Sequence, residues 1–295
     1  MPELPQLKIL SWNQQYDAIP AGRWPYMVQR IHELKPDILC LQECRGWLTD
    51  KSMAEQAARD LGMEIRLGWA PRQGMDAGGT AIAWRPGLEL THFAGYRLGL
   101  TRGMAQGVFH IPGLPVPLTV ISAHVANVPE QALADVGILI DRARRYGGLG
   151  VIAGDINFPG KGDPPPPDVR RLQPHLRLYR FKPTNLDTPW EGDWVPNEDV
   201  AQRFIIGEMV DVAAYLADIT GDGSYRAPTG VFGEMRVDQI HVVRALQGTI
   251  AGYGRVDPRH PAAPGGLVSD HWGVWCDLDL NRLSGADLAL LQEYH

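Results

Sequence analysis

The sequence predicts an α/β fold with mixed sheets, on two observations. Short apolar runs of strand length alternate along the chain with stretches of helical periodicity. Several neighbouring runs are joined by turns too short for a crossover helix, so antiparallel pairs must sit beside any parallel ones. A third observation concerns chemistry. The runs that end in a polar residue end on a carboxylate, a carboxamide or an imidazole. With 295 residues, 44% of them apolar, the chain can bury a full core without staples.

Residues 7–12 form a short apolar strand that stops at Asn13. From Trp24, apolar residues fall at Met27, Val28, Ile31 and Leu34, one face of a helix that Pro36 closes. Residues 38–41 give a second strand, running into Gln42 and Glu43, and 51–61 a second helix. Residues 63–69 and 79–84 read as strands with Gly74, Gly78 and Gly79 as the turn between them. Residues 104–111 and 118–124 read as a strand pair around a Pro/Gly turn, the second ending on His124. Residues 129–145 read as a helix with Pro129 at its start, where proline is tolerated.

Val151, Ile152, Ala153 and Gly154 then lead into Asp155, with Asn157 two positions on. Strand periodicity points Asp155 and Asn157 to the same side, at the end of a buried strand. A turn is the plainer reading of such residues. Loops at strand ends are also where α/β proteins hold their chemistry.

Residues 158–199 break the pattern. Pro164, Pro165, Pro166 and Pro167 run together, Trp190 and Trp194 follow, and apolar periodicity is weak, so the stretch reads as a long surface excursion. Arg170, Arg171, Arg177, Arg180 and Lys182, with Tyr179 and Phe181, form a local basic cluster within it. Such a cluster reads more readily as a solvated face than as a phosphate track. Order resumes with a helix over 200–216, strands over 236–243 and 267–278, and a closing helix over 284–292 capped by Ser284.

Composition excludes several classes. A net charge of −6 supplies no overall basic field for non-specific nucleic-acid binding, although a bound cation and a local basic patch can still handle phosphate. Three cysteines, Cys40, Cys44 and Cys276, lack the spacing of a disulfide scaffold or a zinc site. No signal peptide opens the chain and no long apolar run spans a membrane, so a cytoplasmic protein is the default expectation. Nothing calls for an obligate protein partner.

The polar strand ends make one inventory: carboxylates at Glu43, Asp155, Asp238 and Asp270, amides at Asn13 and Asn157, imidazoles at His124 and His271. Singly, each reads as a turn former, a surface group or a satisfied core histidine. Together they read as an oxygen-rich site without thiolates, of the kind that suits Mg²⁺ (or Mn²⁺). Arg102 is a further candidate to reach a phosphate, although an arginine just before a strand reads first as a surface residue.

The order Trp12-Asn13, Gln42-Glu43, Ser122-Ala123-His124, Gly154-Asp155-Ile156-Asn157, Val237-Asp238-Gln239-Ile240 and Ser269-Asp270-His271 resembles the endonuclease/exonuclease/phosphatase superfamily, from about residue 7 to residue 280. The resemblance implies a single catalytic domain over 1–295: a four-layer α/β sandwich of two packed mixed sheets flanked by helices, with the site at one edge. By the family pattern, Glu43 is the main Mg²⁺ ligand, with Asn13 and Asp270 beside the metal. Asp155 orients or deprotonates the attacking water, and Asn157 and His124 contact the phosphate. His271, held by Asp238, stabilises the pentacoordinate centre or assists proton transfer. Ile156 and Gln239 depart from the family pattern, where an aromatic and a tyrosine are usual, and neither is expected to touch the phosphate. The implied activity is metal-dependent hydrolysis of a phosphate ester by an activated water, on a nuclease-like substrate first and nucleic acid among the candidates. A phosphatase or phosphodiesterase for a small soluble metabolite comes second, and a binding module that kept the fold without the chemistry third.

Overall fold

The computed structural model describes residues 4–68, 79–96, 99–189, 192–230 and 235–292. The turn expected at Gly74 and Gly78, and Trp69 and Trp190, lie outside the described residues. Two six-stranded mixed sheets face each other, with helices on their outer sides.

The first sheet takes β1 (Gln6–Asn13), β2 (Ile38–Gln42), β3 (Glu64–Gly68) and β4 (Thr80–Trp84) from the N-terminal part of the chain. The second takes β5 (Glu89–Tyr96), β6 (Met104–His110), β7 (Leu118–His124) and β8 (Leu149–Asp155). After the excursion, β11 (Met209–Asp211) and β12 (Asp238–Val243) complete the second sheet, in the order β11-β12-β8-β7-β6-β5. β13 (Ile250–Val256) and β14 (Gly273–Asp279) return to the first, in the order β13-β14-β1-β2-β4-β3. Each sheet has one parallel pair, β1 with β2 and β7 with β8, and each pair is joined by a helix, α1 (Trp24–Leu34) or α3 (Pro129–Arg144). A parallel pair needs such a crossover, so the helical periodicity after each strand matches the sheet direction.

Strand alternation sorts the layers. In β1, Leu7 and Ile9 join the core between the sheets, while Leu10 and Trp12 pack outward against Trp24, Met27 and Ile31 of α1 and Ala54 and Ala57 of α2 (Lys51–Leu61). In β2 the inward row is Ile38, Cys40 and Gln42. Gln42 closes that row with a polar bridge: its Nε2 donates to Ser122 Oγ of β7 across the sandwich at 3.1 Å. The inward row of this central strand is therefore apolar at depth and turns polar at one edge.

Several elements differ from the expectation. The helix expected over 200–216 is two helices, α5 (Asp199–Ile206) and α6 (Val212–Thr220), with β11 between them. Gly207 and the left-handed Glu208 (φ 52°) end the first, and the Asp211 carboxylate caps the second by accepting from the N–H groups of Ala213 and Ala214. The strand expected from 267 begins only at Gly273, because 267–272 form the loop that carries Asp270 and His271. Two strands, β5 and β13, carry no clear signal: the first faces solvent along much of its length and the second is glycine-rich. Ser284 does cap α7 (Gly285–Gln292), accepting from Asp287 N while the Asp287 carboxylate accepts from Ser284 N.

The excursion is only partly a surface feature. It holds α4 (Pro174–Arg180), β9 (Phe181–Pro183) and β10 (Trp194–Pro196), and Phe181 is buried with Met235 and Val237 in a small core of its own. Among the described residues, no helix is long and apolar enough to cross a membrane.

Candidate active site

Asp155 ends β8 in the middle of the second sheet. Strand register sets His124 of β7 directly beside it on one side and Asp238 of β12 on the other. The close pairing needs Gly154, since a Cβ there would collide with the Ala123 carbonyl. From the facing sheet, Asn13 Nδ2 donates to Asp155 Oδ2 at 3.1 Å. His124 Nε2 lies 3.4 Å and His271 Nε2 3.9 Å from the same oxygen.

Asn157 reaches the site by a route that strand parity does not describe. β8 stops at Asp155, Asn157 is left-handed (φ 63°), and its N–H donates to Asp155 Oδ1 at 2.9 Å in an Asx turn. The turn reading holds for this residue, and the turn itself sets Asn157 beside Asp155. Its side chain is held at both ends: Nδ2 donates to the Val125 carbonyl at 2.8 Å, and Oδ1 accepts from Arg180 Nη2 at 3.0 Å.

Glu43 follows β2 in a left-handed conformation (φ 59°), and its carboxylate is fixed by two donors. Asn13 Nδ2 reaches Oε1 at 3.1 Å and the Tyr16 N–H reaches Oε2 at 2.7 Å. The Tyr16 contact depends on a turn in which Gln15, Tyr16 and Asp17 all have positive φ (51°, 54° and 79°), a costly conformation for non-glycine residues. Asn13 Oδ1 is taken by the Gln15 N–H at 2.9 Å, so the Asn13 amide turns its N–H groups toward the two carboxylates and spaces them.

The Asp270-His271 loop is pinned from below. Ser269 Oγ donates to the Asn13 carbonyl at 2.6 Å, and Trp12 Nε1 donates to the His271 carbonyl at 2.9 Å. His271 Nδ1 faces both Asp238 oxygens, at 2.9 and 3.1 Å, and its Nε2 lies 3.9 Å from Asp270 Oδ1. The structure thus brings all the strand-end residues read from the sequence to one edge.

Burial and neighbouring charges set the protonation states. Burial works against a charged His271, but Asp238 and Asp155 outweigh it and hold the imidazole pKa well above its ordinary value. Burial pushes the Asp155 carboxyl up, but His271, His124, Arg180 and Arg102 more than reverse it, leaving it below the usual carboxylate range. Burial raises the Asp238 and Glu43 carboxyls, against the pull of His271 on each. Burial, and then the Arg102 guanidinium, depress His124 to about 3, so its ring is neutral. His124 Nε2 lies 2.8 Å from Arg102 Nη1, and a guanidinium can only donate, so the ring accepts there.

In the sequence Arg102 reads first as a surface residue, and Arg180 as one member of a surface cluster. The structure sets Arg102 on His124 and buries Arg180 against Asn157. Nothing local marks Arg180, which lies in a proline-rich stretch and reaches the site only through the path of the excursion. Of the rest of the basic cluster, Arg171 pairs with Asp168 and Lys182 with Asp199, while Arg177 stays beside Arg170, donating to its carbonyl at 3.4 Å, and lies over the Trp194 ring.

The donor set fits a hard divalent cation. Asp270 Oδ1 is buried without a hydrogen-bond partner among the described residues, an oxygen that a cation would satisfy. Ligand atoms of Glu43, His124 and Asp155 lie within 4.8 Å of one another, and no thiolate is among them.

Two six-stranded sheets packed face to face, with carboxylates and imidazoles gathered on strand ends at one edge, define an α/β sandwich of the nuclease and phosphatase type. The chain belongs to the Endonuclease/Exonuclease/phosphatase family, whose model matches residues 10–272. That superfamily comprises metal-dependent phosphoesterases and nucleases. Among solved structures, an endonuclease/exonuclease/phosphatase from Bacteroides vulgatus is 14% identical, with a TM-score of 0.63 over 93% of this chain and 98% of that one. Truncated Caenorhabditis elegans TDP2 is 15% identical, with a TM-score of 0.57 over 93% of this chain and 98% of that one. The endonuclease domain of TRAS1, a telomere-specific non-LTR retrotransposon, is 14% identical, with a TM-score of 0.55 over 94% and 99%. No curated protein sequence matches the chain.

Proposed function

We propose that the chain is a Mg²⁺- or Mn²⁺-dependent phosphoesterase that hydrolyses a phosphodiester, or a phosphomonoester, by attack of an activated water. The observation that carries this reading is the convergence on Asp155 of Asn13, His124 and a His271 whose other nitrogen is held by Asp238. A cation held by Glu43 and Asp270, with Asn13 beside it, would polarise a phosphoryl oxygen and offset its growing charge. Asp155 stays ionised into acid, so it orients the water and takes its proton as attack proceeds. Asn157, with one N–H of its amide still available, donates to the phosphate. His124 acts there through Arg102, which it holds in place. The protonated His271, aligned by Asp238, counters charge on the phosphoryl oxygens in the transition state.

A nuclease-like substrate is the first reading. The local ion pairing of Arg171 and Lys182, on a chain of net charge −6, favours a small soluble phosphorylated metabolite as the second. A binding module without chemistry is opposed by the completeness of the site. A cytoplasmic location fits the three cysteines, all of which are buried free thiols.

Turnover of bis(p-nitrophenyl) phosphate should be abolished by EDTA and restored by Mg²⁺ or Mn²⁺. A panel of DNA, RNA and phosphorylated metabolites then ranks the two substrate readings. EDTA-insensitive turnover, or no turnover across the panel, would overturn the assignment.

A further inference from the structure

A second guanidinium enters the site from the excursion and has no counterion among the described residues. Arg180 ends α4 and is 8% exposed. Its backbone is fixed on both sides: its carbonyl accepts from Asn197 N at 2.8 Å, and the next residue, Phe181, is buried against Met235 and Val237. The side chain is therefore delivered to the site by an ordered element. Its one hydrogen bond among the described residues is from Nη2 to Asn157 Oδ1, at 3.0 Å. Asp155 and Asp238 influence its charge from beyond ion-pair distance, and Arg102, a like charge, opposes it.

That placement is costly. Removing a guanidinium from water is unfavourable unless opposite charge or hydrogen bonds offset it. Arg236, elsewhere in the same protein, recovers that cost from two carboxylates at 2.6–3.2 Å. Arg180 is met by one neutral amide oxygen. Its remaining N–H donors serve no acceptor among the described residues, and they lie beside the amide assigned above to the phosphate. A planar guanidinium with spare donors suits a phosphate oxygen, which it can engage with two parallel hydrogen bonds.

We propose that Arg180 is a substrate-binding residue, which contacts a phosphate oxygen directly while its Nη2 holds the Asn157 amide in its donating orientation. The proposal rests on the phosphoesterase reading. It makes the excursion a part of the site, contributing one cation that the two sheets do not supply.

The test uses the whole chain, with inorganic phosphate as the probe. Phosphate affinity is read by calorimetry and by its effect on the melting temperature, alongside kcat and KM for bis(p-nitrophenyl) phosphate, for wild type, Arg180→Met and Arg180→Lys. Loss of a charge-assisted contact should weaken phosphate binding about ten- to a hundredfold in Arg180→Met. KM should rise by a similar factor, and Arg180→Lys should restore part of the loss. The ligand-free Arg180→Met protein should melt close to wild type, because the lost bond to Asn157 and the lost attraction of Asp155 and Asp238 are offset by the removed cost of burying the cation. If Arg180 is only structural, Arg180→Met melts lower, and the folded Arg180→Lys protein binds phosphate as wild type does; that result overturns the proposal. Unchanged phosphate affinity in a folded Arg180→Met protein overturns it as well, and leaves the phosphoesterase reading standing if wild type turns over. Phosphate binding that depends on Arg180 in a protein without turnover supports the Arg180 contact and rejects the hydrolase.

Discussion

The protein buries charge in two places, and it treats the two differently. Around Arg236, a single guanidinium meets Asp163 through Nε and Nη2 and Asp211 through Nη1 and Nη2, at 2.6–3.2 Å. Its pKa is raised, as the two carboxylates outweigh burial, and the Asp211 carboxyl is held at about 2 even though burial alone would raise it. The cluster ties the start of the excursion to the edge strand β11 and to the lead into β12. Around Asp155, by contrast, Asp270 Oδ1 and His124 Nδ1 are buried without partners among the described residues, Arg180 has no counterion there, and His271 is shared among three carboxylates. A closed cluster spends its hydrogen-bonding capacity on the fold. An open one keeps capacity for something that is not part of the chain. A buried polar group without a partner costs stability, and Asp270 Oδ1 and His124 Nδ1 are two such groups at the sheet edge where the candidate site lies.

The contrast can be tested first where it is sharpest. Asp155→Asn keeps the size of the side chain and removes the base, and kcat on a generic phosphodiester should fall by about a hundred- to ten-thousandfold with little change in melting temperature. A near wild-type rate at saturating substrate would end the assignment of Asp155. Arg236→Met should do the opposite kind of damage. It strands two buried carboxylates, and urea titration should show about 3–5 kcal/mol of lost stability. A loss below about 1 kcal/mol would mean the closed cluster contributes little to the fold.

A pH titration extends the comparison to His241, which is buried beside the closed cluster and stacked on Phe204 at 3.9 Å. Burial depresses its pKa from 6.5 to about 4. The neutral ring is the form the fold holds, so its contribution is complete above pH 6.5 and is lost as pH falls toward 4. Over that window the linkage amounts to about 3 kcal/mol. The difference in stability between about pH 7 and about pH 4 should shrink by that amount in His241→Phe, which retains the stack; an unchanged pH dependence would clear His241 of the effect. Glu43→Ala should weaken Mg²⁺ binding measured by calorimetry by more than the roughly ten- to hundredfold typical of outer-shell partners. Unaltered affinity would place the cation elsewhere. The smallest number expected is an increment. His271→Ala and Asp238→Asn should each lose activity, and the double variant should lose little beyond the worse single, since the pair acts as one unit. Losses that multiply would show two independent residues.

Much of the site is legible in the sequence, because a strand that is buried along its length must turn polar where it leaves the core. Asn13, Glu43, His124, Asp155 and Asp238 can be found that way. Asp270 and His271 stand out for their chemistry, although the strand expected to contain them begins only at Gly273, after both. Asn157 does reach Asp155, but a left-handed turn brings it there and not strand parity. The split of 200–216 into α5, β11 and α6 could be suspected from Gly207 and Asp211, but choosing it requires β12 as a partner for β11.

By itself the sequence determined the alternation of strands and helices, the mixture of parallel and antiparallel pairs that the connection lengths imply, and the chemical inventory of the strand ends. These follow from local periodicity and from the residue types at which it stops. Only the tertiary structure decided which charges are satisfied. Arg236 and Arg180 are the same residue type, and each lies within two positions of a strand whose first residue is buried. One meets two carboxylates and the other a single amide. Ion pairing depends on distances of a few ångströms between side chains tens of residues apart, and those distances are set by how the sheets pack and where the excursion returns.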